Sequence, residues 1–417
     1  MPEITQIARV RASVESTFAT DRTSDVATNF FQVRADSVGA PRWSQEQLPS
    51  EPLRSFRVQR YVTEHGFTRG QVTIEGDLVS TGVELNKDAT ATKDSTSKLL
   101  EQMIGGYQAG GSAGSGAGSL VASGASSTGV TVTAAQGARF DKLGIPVAVE
   151  TASASGLFEV TEIKTVSTDA LTFTRALTFT PAVGAKVINA QVLYPTDQPV
   201  GTLQWLVEHT RDRDNIFLYL GCQGTVSLTW ALGQKVRWST QQQVTKILHD
   251  DEITTPQGGG SMSVYTLDGG SPVIARAGAI SFNPSTATTR VAPNVAELTI
   301  DLGIAWIDVP SFNGTEGRAG FEQAPGAPSF KIKVPHADET YKDALVAQTP
   351  YRLIAQAGNV GGRMLAFCAP YCQIVEIAPT QVNGLEYDEI TCIMLADASL
   401  ADQSDDMRRR PYALARF

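Results

Sequence analysis

Three short patterns in this chain could carry chemistry. Gly110-Gly-Ser112-Ala-Gly114 matches G-x-S-x-G, the elbow that exposes a nucleophilic serine. That elbow needs a strand before the serine and a helix after it. Here it lies in a Gly/Ala/Ser tract, where such matches arise by chance. Ser95-x-x-Lys98 matches S-x-x-K, but no S-D-N or K-T-G follows, and a helix N-terminus explains it. Cys368-Ala-Pro-Tyr-Cys372 is one C-x₃-C without a second pair, and His65, His209, His249 and His336 are scattered. A zinc site needs four convergent ligands, so buried thiols at a strand end are the simpler reading.

Other candidates reduce in the same way. The glycines at 105–118 open into strands and carry no G-K-[ST], so they do not form a phosphate cradle. Arg211-Asp-Arg-Asp214 starts like a calcium loop, yet Ile and Phe hold the later ligand positions. Asn313-Gly-Thr315 has the form of a glycosylation sequon, but without an export signal it reads as a turn. Trp205, Trp230 and Trp238 could stack on bases, but at alternating strand positions they are more often core or interface residues, and no basic groove surrounds them. No catalytic residue, metal ligand or cofactor is expected. The only dense basic run is Arg408-Arg409-Arg410 near the C-terminus, a solvated tail or an arm that docks on an acidic neighbouring subunit.

Composition narrows the class. The chain has 417 residues, 43 Asp and Glu against 34 Lys and Arg, and a net charge of −9. A general nucleic-acid binder would be basic. At 42% hydrophobic the chain is globular, and no apolar run is long enough for a membrane helix. The opening residues lack an apolar signal core, and four cysteines suit reduced thiols in a chain made in a cytoplasm.

The elements are mostly strands. Residues 1–60 read as an extended arm, with a short strand at 29–33. Alternation at 56–62 and 71–75 predicts strand, turn, strand, with the turn at His65-Gly66. A helix over 94–104 is capped by Asp94 or Ser95, packs through Leu99, Leu100, Met103 and Ile104, and stops at Gly105-Gly106. Residues 109–127 read as a flexible linker and 128–198 as an inserted small β domain. Strands resume at 202–207, 216–220, 226–230 and 236–238, with 199–250 completing a first half and 251–278 a connector.

The second half, 279–398, contributes strands at 297–302, 330–334, 351–354, 364–367, 374–377 and 390–395. A short helix capped by Asp338 packs through Tyr341, Ala344 and Leu345, and Asn383-Gly384 is a hairpin signal. Residues 399–417 read as a C-terminal arm. Both halves run strand, helix, strand, strand, cysteine, strand pair, which suggests an internal duplication. The expected fold is mainly β, a sandwich or barrel with a packed helix, duplicated, plus an inserted domain.

At residues 47–106 the chain resembles a known family. Leu48-Pro-Ser50-Glu51, Glu64-His-Gly66-Phe, Gly70-Gln-Val-Thr-Ile-Glu-Gly76 and Ser97-Lys-Leu-Leu-Glu-Gln-Met-Ile-Gly-Gly106 are similar to the opening of the major tail tube proteins of long, non-contractile phage tails. Tyr219-Leu-Gly-Cys222 is similar to that family's second signature. Residues 279–395 follow the family's second half in element order, and the 107–198 insertion departs from it. The resemblance implies a tail-tube-type β-sandwich or barrel, and a structural virion protein made in the host bacterial cytoplasm. It implies stacked rings of identical subunits, trimeric and pseudo-sixfold or hexameric. Partners would be the tape measure, tail terminator and distal tail proteins. Genomic DNA would pass through the lumen without specific binding. Arg408, Arg409 and Arg410 become candidate inter-ring contacts, and 1–60 and 250–278 natural ring-to-ring segments. A lumen through which DNA slides should be acidic on the 71–86 and 297–310 strands. The alternatives are a β-sandwich adhesin or receptor-binding or carbohydrate-binding phage protein, and a carbohydrate hydrolase with paired carboxylates.

Overall fold

The computed structural model describes residues 7–15, 17–20, 30–39, 42–48, 64–81, 95–108, 119–140, 142–196, 201–209, 216–249, 252–253, 272–275, 278–315, 317–324, 326–336, 339–397 and 406–417. Expectations for 56–62, Ser112, Arg211–Asp214, Asp94, Asp338 and most of the 251–278 connector lie outside these residues.

The first half opens with β1 (Ile7–Val14), β2 (Phe31–Val33), β3 (Ser37–Val38), β4 (Arg42–Leu48) and β5 (Glu64–Asp77). Helix α1 (Ser95–Ile104) and β6 (Gly105–Gln108) follow. The inserted unit holds β7 (Val121–Ser126), β8 (Gly129–Val132), β9 (Pro146–Glu150), β10 (Phe158–Ser167), β11 (Ala170–Phe173) and β12 (Val187–Asn189). The chain returns through β13 (Gln191–Pro195), β14 (Leu203–His209), β15 (Ile216–Ala231), β16 (Arg237–Val244) and β17 (Lys246–His249). The second half holds β18 (Ile280–Pro284), β19 (Glu297–Asp301), β20 (Ala305–Thr315), β21 (Arg318–Ala324) and β22 (Ser329–Pro335). It continues with α2 (Glu339–Ala347), β23 (Pro350–Ala357), β24 (Leu365–Val382), β25 (Leu385–Met394) and β26 (Ala413–Arg416). The fold is mainly β, as expected.

One long antiparallel sheet runs through both halves in the order β4, β5, β16, β15, β19, β22, β25, β24. Period-two alternation gives it one apolar face (Val72, Ile74, Val226, Leu228, Leu298, Ile300, Phe330, Ile332), all buried. That face packs on two smaller outer arrays. The first is β2, β1, β14, β15, β17 and the second β18, β23, β24, β26, β13, β6. Leu99, Leu100, Met103 and Ile104 of α1 join the same core. Each such side chain contributes about 1.5–3 kcal/mol when buried. Gly105, at φ 118, ends the helix where an L-residue would be strained.

Several expectations are corrected. The pairs 216–220 with 226–230, and 364–367 with 374–377, are single strands, β15 and β24. Each starts in an outer array and ends in the long sheet. The bend in β15 is at Gly221, φ 58, whose N–H donates to Glu15 at 2.8 Å. His65-Gly66 lies inside β5 and is not a turn. The end of the supposed linker is β7. The supposed N-terminal arm supplies β1, whose Val10 and Ala12 are core residues. The supposed C-terminal arm supplies β26, with Arg416 and Phe417 fully buried. The hairpin of β20 and β21 had no distinct sequence signal. Asn383 and Gly384, at φ 52 and 79, form the expected tight turn.

The inserted unit is a six-stranded sheet, β12-β9-β10-β11-β8-β7. Its entry and exit strands, β6 and β13, pair with each other, so β13 belongs to the outer array and not to the insertion. The unit is docked: its core continues into Ile354, Met364, Ala366, Ala415 and Phe417. Buried Arg175 donates to Ser281, Asn283 and the Arg352 carbonyl.

Candidate assembly surface

The two halves share one pairing scheme. In the first, β5 pairs with β16, β16 with β15, β15 with β14 and β17, and β14 with β1. In the second, β22 pairs with β25, β25 with β24, β24 with β23 and β26, and β23 with β18. A helix stands between β5 and β14, and another between β22 and β23. Register shifts fall at the same place, between Leu203 and Trp205 and between Tyr351 and Leu353. Opposite Leu203 and Tyr351 stand Cys222 and Cys372. Anchored there, the pairings make Ser239 equivalent to Glu389, Glu75 to Lys333, and Ser37 to Glu297. An irregularity repeats too: Asp36 N–H donates to the Glu75 carbonyl at 2.8 Å, and Ala296 N–H to the Lys333 carbonyl at 2.9 Å.

The halves join where the end of β15 pairs with β19, in the register Ser227 to Asp301, Thr229 to Thr299 and Ala231 to Glu297. Leu302 N–H donates to the Val226 carbonyl at 3.1 Å, and Leu232 N–H to the Ala296 carbonyl at 3.2 Å. By alternation the even-numbered residues of β15 direct their backbone groups at β19. The long sheet has two ends. Among the described residues, β3 and β4 pair only with β5, and the segment 376–382 of β24 pairs only with β25.

The second face of the sheet is mostly polar, with Ala378, Val382 and Leu385 at its β24–β25 end. From β5 to β24 it presents Thr73, Glu75, Ser239, Gln241, Thr225, Ser227, Thr229, Glu297, Thr299 and Asp301, then Lys331, Lys333, Glu389, Thr391 and Glu376. Among the described residues, three of its cations each meet carboxylates. Arg237 lies 3.6 Å from both Asp36 and Glu75. Lys333 lies 2.6 Å from Glu297, and Lys331 lies 2.9 Å from Glu389, which raises the lysine's pKa by a charge-assisted hydrogen bond. Glu75, Glu297 and Asp301 are the only charged residues on this face in 71–76 and 297–301. A fourth cation, Arg42, is exposed on β4 opposite Gln71.

The residues singled out for chemistry do not converge. Cys222, Cys368, Cys372 and Cys392 are buried free thiols. Burial pushes the pKa of Cys222, Cys368 and Cys392 up, away from nucleophilic thiolate. Trp205, Trp230 and Trp238 are core residues. Ser95 and Lys98 open α1. No group of three metal-ligating side chains occurs among the described residues. A cleft of about 480 Å³ between Trp230, Leu232, Ala275, Pro293 and Tyr387 has no carboxylate in its lining. Of the basic run, Arg408 is bound to Asp406, whose carboxyl it holds below its ordinary range against the opposing effect of burial. Arg410 lies over the Tyr194 ring. Arg409 is half-buried beside them. No signal in the sequence marked the two sheet ends, because a free edge is defined by what does not pair with it.

No helix among the described residues is long and apolar enough to cross a membrane. No family model matches the chain, and no curated protein is significantly similar to it.

Proposed function

We propose that this chain is a structural subunit of a hollow tube, of the kind formed by the major tail tube protein of long, non-contractile phage tails. One observation carries the reading. The same strand unit occurs twice and is joined edge to edge, so the sheet runs through both copies with a polar face and two ends that are unpaired among the described residues. Such a sheet removes its edges by closing with further copies. With two units per chain, three chains make a pseudo-sixfold ring, and stacked rings make the tube. The polar face lines the channel. Its hydroxyl and amide groups, and the pairing of Arg237, Lys331 and Lys333 with carboxylates, limit the positive charge offered to phosphate, so DNA slides. Tape measure, terminator and distal tail proteins are the partners such a tube requires. The protein then resides in the virion tail after synthesis in a bacterial cytoplasm.

Electron microscopy of the purified chain tests this. Annular particles with a central hole, or tubes built from them, are expected. Particles without a hole under every condition, together with glycan binding or cleavage, would replace this reading with an adhesin or hydrolase.

A further inference from the structure

The internal junction is a template for the external one. Extending the equivalence from Cys222 and Cys372 along the strands, Thr229 corresponds to Thr380, Trp230 to Gln381 and Ala231 to Val382. On the other side Glu297 corresponds to Ser37, Leu298 to Val38 and Thr299 to Gly39. The first set lies on the unpaired edge of β24, the second on the unpaired edge of β3. In one chain the β15 set pairs with the β19 set; the β24 and β3 sets have no such partner in their own chain among the described residues.

We infer that the end of β24 pairs antiparallel with β3 of a second copy of this chain, in the register Val382 to Ser37, Gln381 to Val38 and Thr380 to Gly39. This rests on the tube reading and names the strands that close the ring. Backbone directions agree with it. Gly39 N–H donates to the Thr73 carbonyl at 2.7 Å, so Gly39 faces β5 and Val38 faces outward. Gln381 is equivalent to Trp230, one of the residues aimed across the internal junction. Val38 and Gln381 therefore exchange two hydrogen bonds. Ser37 and Val382 form the closer, non-hydrogen-bonded pair on the polar face. Pro379, equivalent to Leu228, places its ring on the same edge. It removes one donor there, as edge strands that must not pair indiscriminately do. The contact is head to tail, and such contacts form rings when the rotation closes.

The test is a pair of cysteines, Ser37→Cys with Val382→Cys, in the full chain, oxidised with copper phenanthroline after assembly. Ala231→Cys with Glu297→Cys is the reference, since it occupies the same register inside one chain. The expected result is a non-reducing ladder of covalent multimers ending at the ring's copy number, while Ser37→Cys with Gln381→Cys gives none. Rings in the microscope without that ladder, with the reference pair oxidised, overturn the junction and leave the tube reading standing. Absence of any ring overturns both. As a second variant, Val38→Pro removes an outward N–H that nothing in its own chain accepts among the described residues. Its melting temperature should match the parent, and assembly should fall at least tenfold. Unimpaired assembly would overturn the junction.

Discussion

Glu15 shows how one side chain ties separate segments together. Its carboxylate accepts from Ala19 N–H at 3.0 Å, from Gly221 N–H at 2.8 Å and from the Thr202 hydroxyl. Burial nevertheless raises its pKa above the ordinary carboxylate value. A raised folded-state pKa means the folded protein holds the proton more tightly. Its contribution to stability is therefore full below the ordinary value and is lost as pH rises through the raised one. Between those two values the parent should gain melting temperature on acidification relative to Glu15→Gln, measured by parallel calorimetric scans; identical slopes would remove the argument. Arg416 is the second case. Fully buried, it donates to the carbonyls of Val79 at 3.0 Å and Ser80 at 2.9 Å and to the Ser97 hydroxyl at 2.6 Å. Arg416→Ala strands those acceptors and should cost about 3 kcal/mol in urea unfolding. No count of charged residues would have placed this arginine inside.

At the scale of elements, Gly76 of β5 is wedged between the backbone that links β2 to β3 and Trp238 of β16, so that a Cβ there would lie 2.2 Å from the Arg34 carbonyl oxygen and 2.8 Å from the Trp238 ring. The Trp238 indole N–H also donates to the Asp77 carbonyl at 3.2 Å. Gly76→Val must push backbone aside, and a loss of about 1–3 kcal/mol is expected from denaturant midpoints. Helix α1 was legible from its apolar spacing and terminal glycines, and Leu100→Ala should cost about 2–5 kcal/mol. The long strands β15 and β24 were not legible as single elements. Gly221 and the Cys368–Cys372 stretch resemble chain breaks in one dimension. In space they are bends that carry one strand from an outer array to the long sheet.

For the whole molecule, the proposed channel depends on how little free positive charge the polar face offers. Gln241→Lys with Gln243→Lys places two cations on the polar face of β16, opposite Thr225 and Gln223 on β15 and Thr73 and Gln71 on β5, with no carboxylate directly across from either. Assembled variant tubes should retain duplex DNA at low salt where the parent does not. The retention should weaken with salt by a slope of about 0.9 per phosphate contacted. Filter retention over a salt series measures it, and equal retention by parent and variant would contradict the sliding argument.

Alternation, helix spacing and turn residues determined the strand-rich class, the first helix, the Asn383-Gly384 turn and the presence of an insertion. These depend on interactions a few residues apart. The repeated element order was visible as a suspicion. Pairing made it specific, because register is a relation between distant segments. The docking of the insertion on β23, β24 and β26, the burial of β1 and β26 within the supposed arms, and the two sheet ends left unpaired among the described residues were decided by tertiary structure alone. Each depends on which surfaces remain uncovered after the chain has folded, and a linear pattern of residue types does not carry that information.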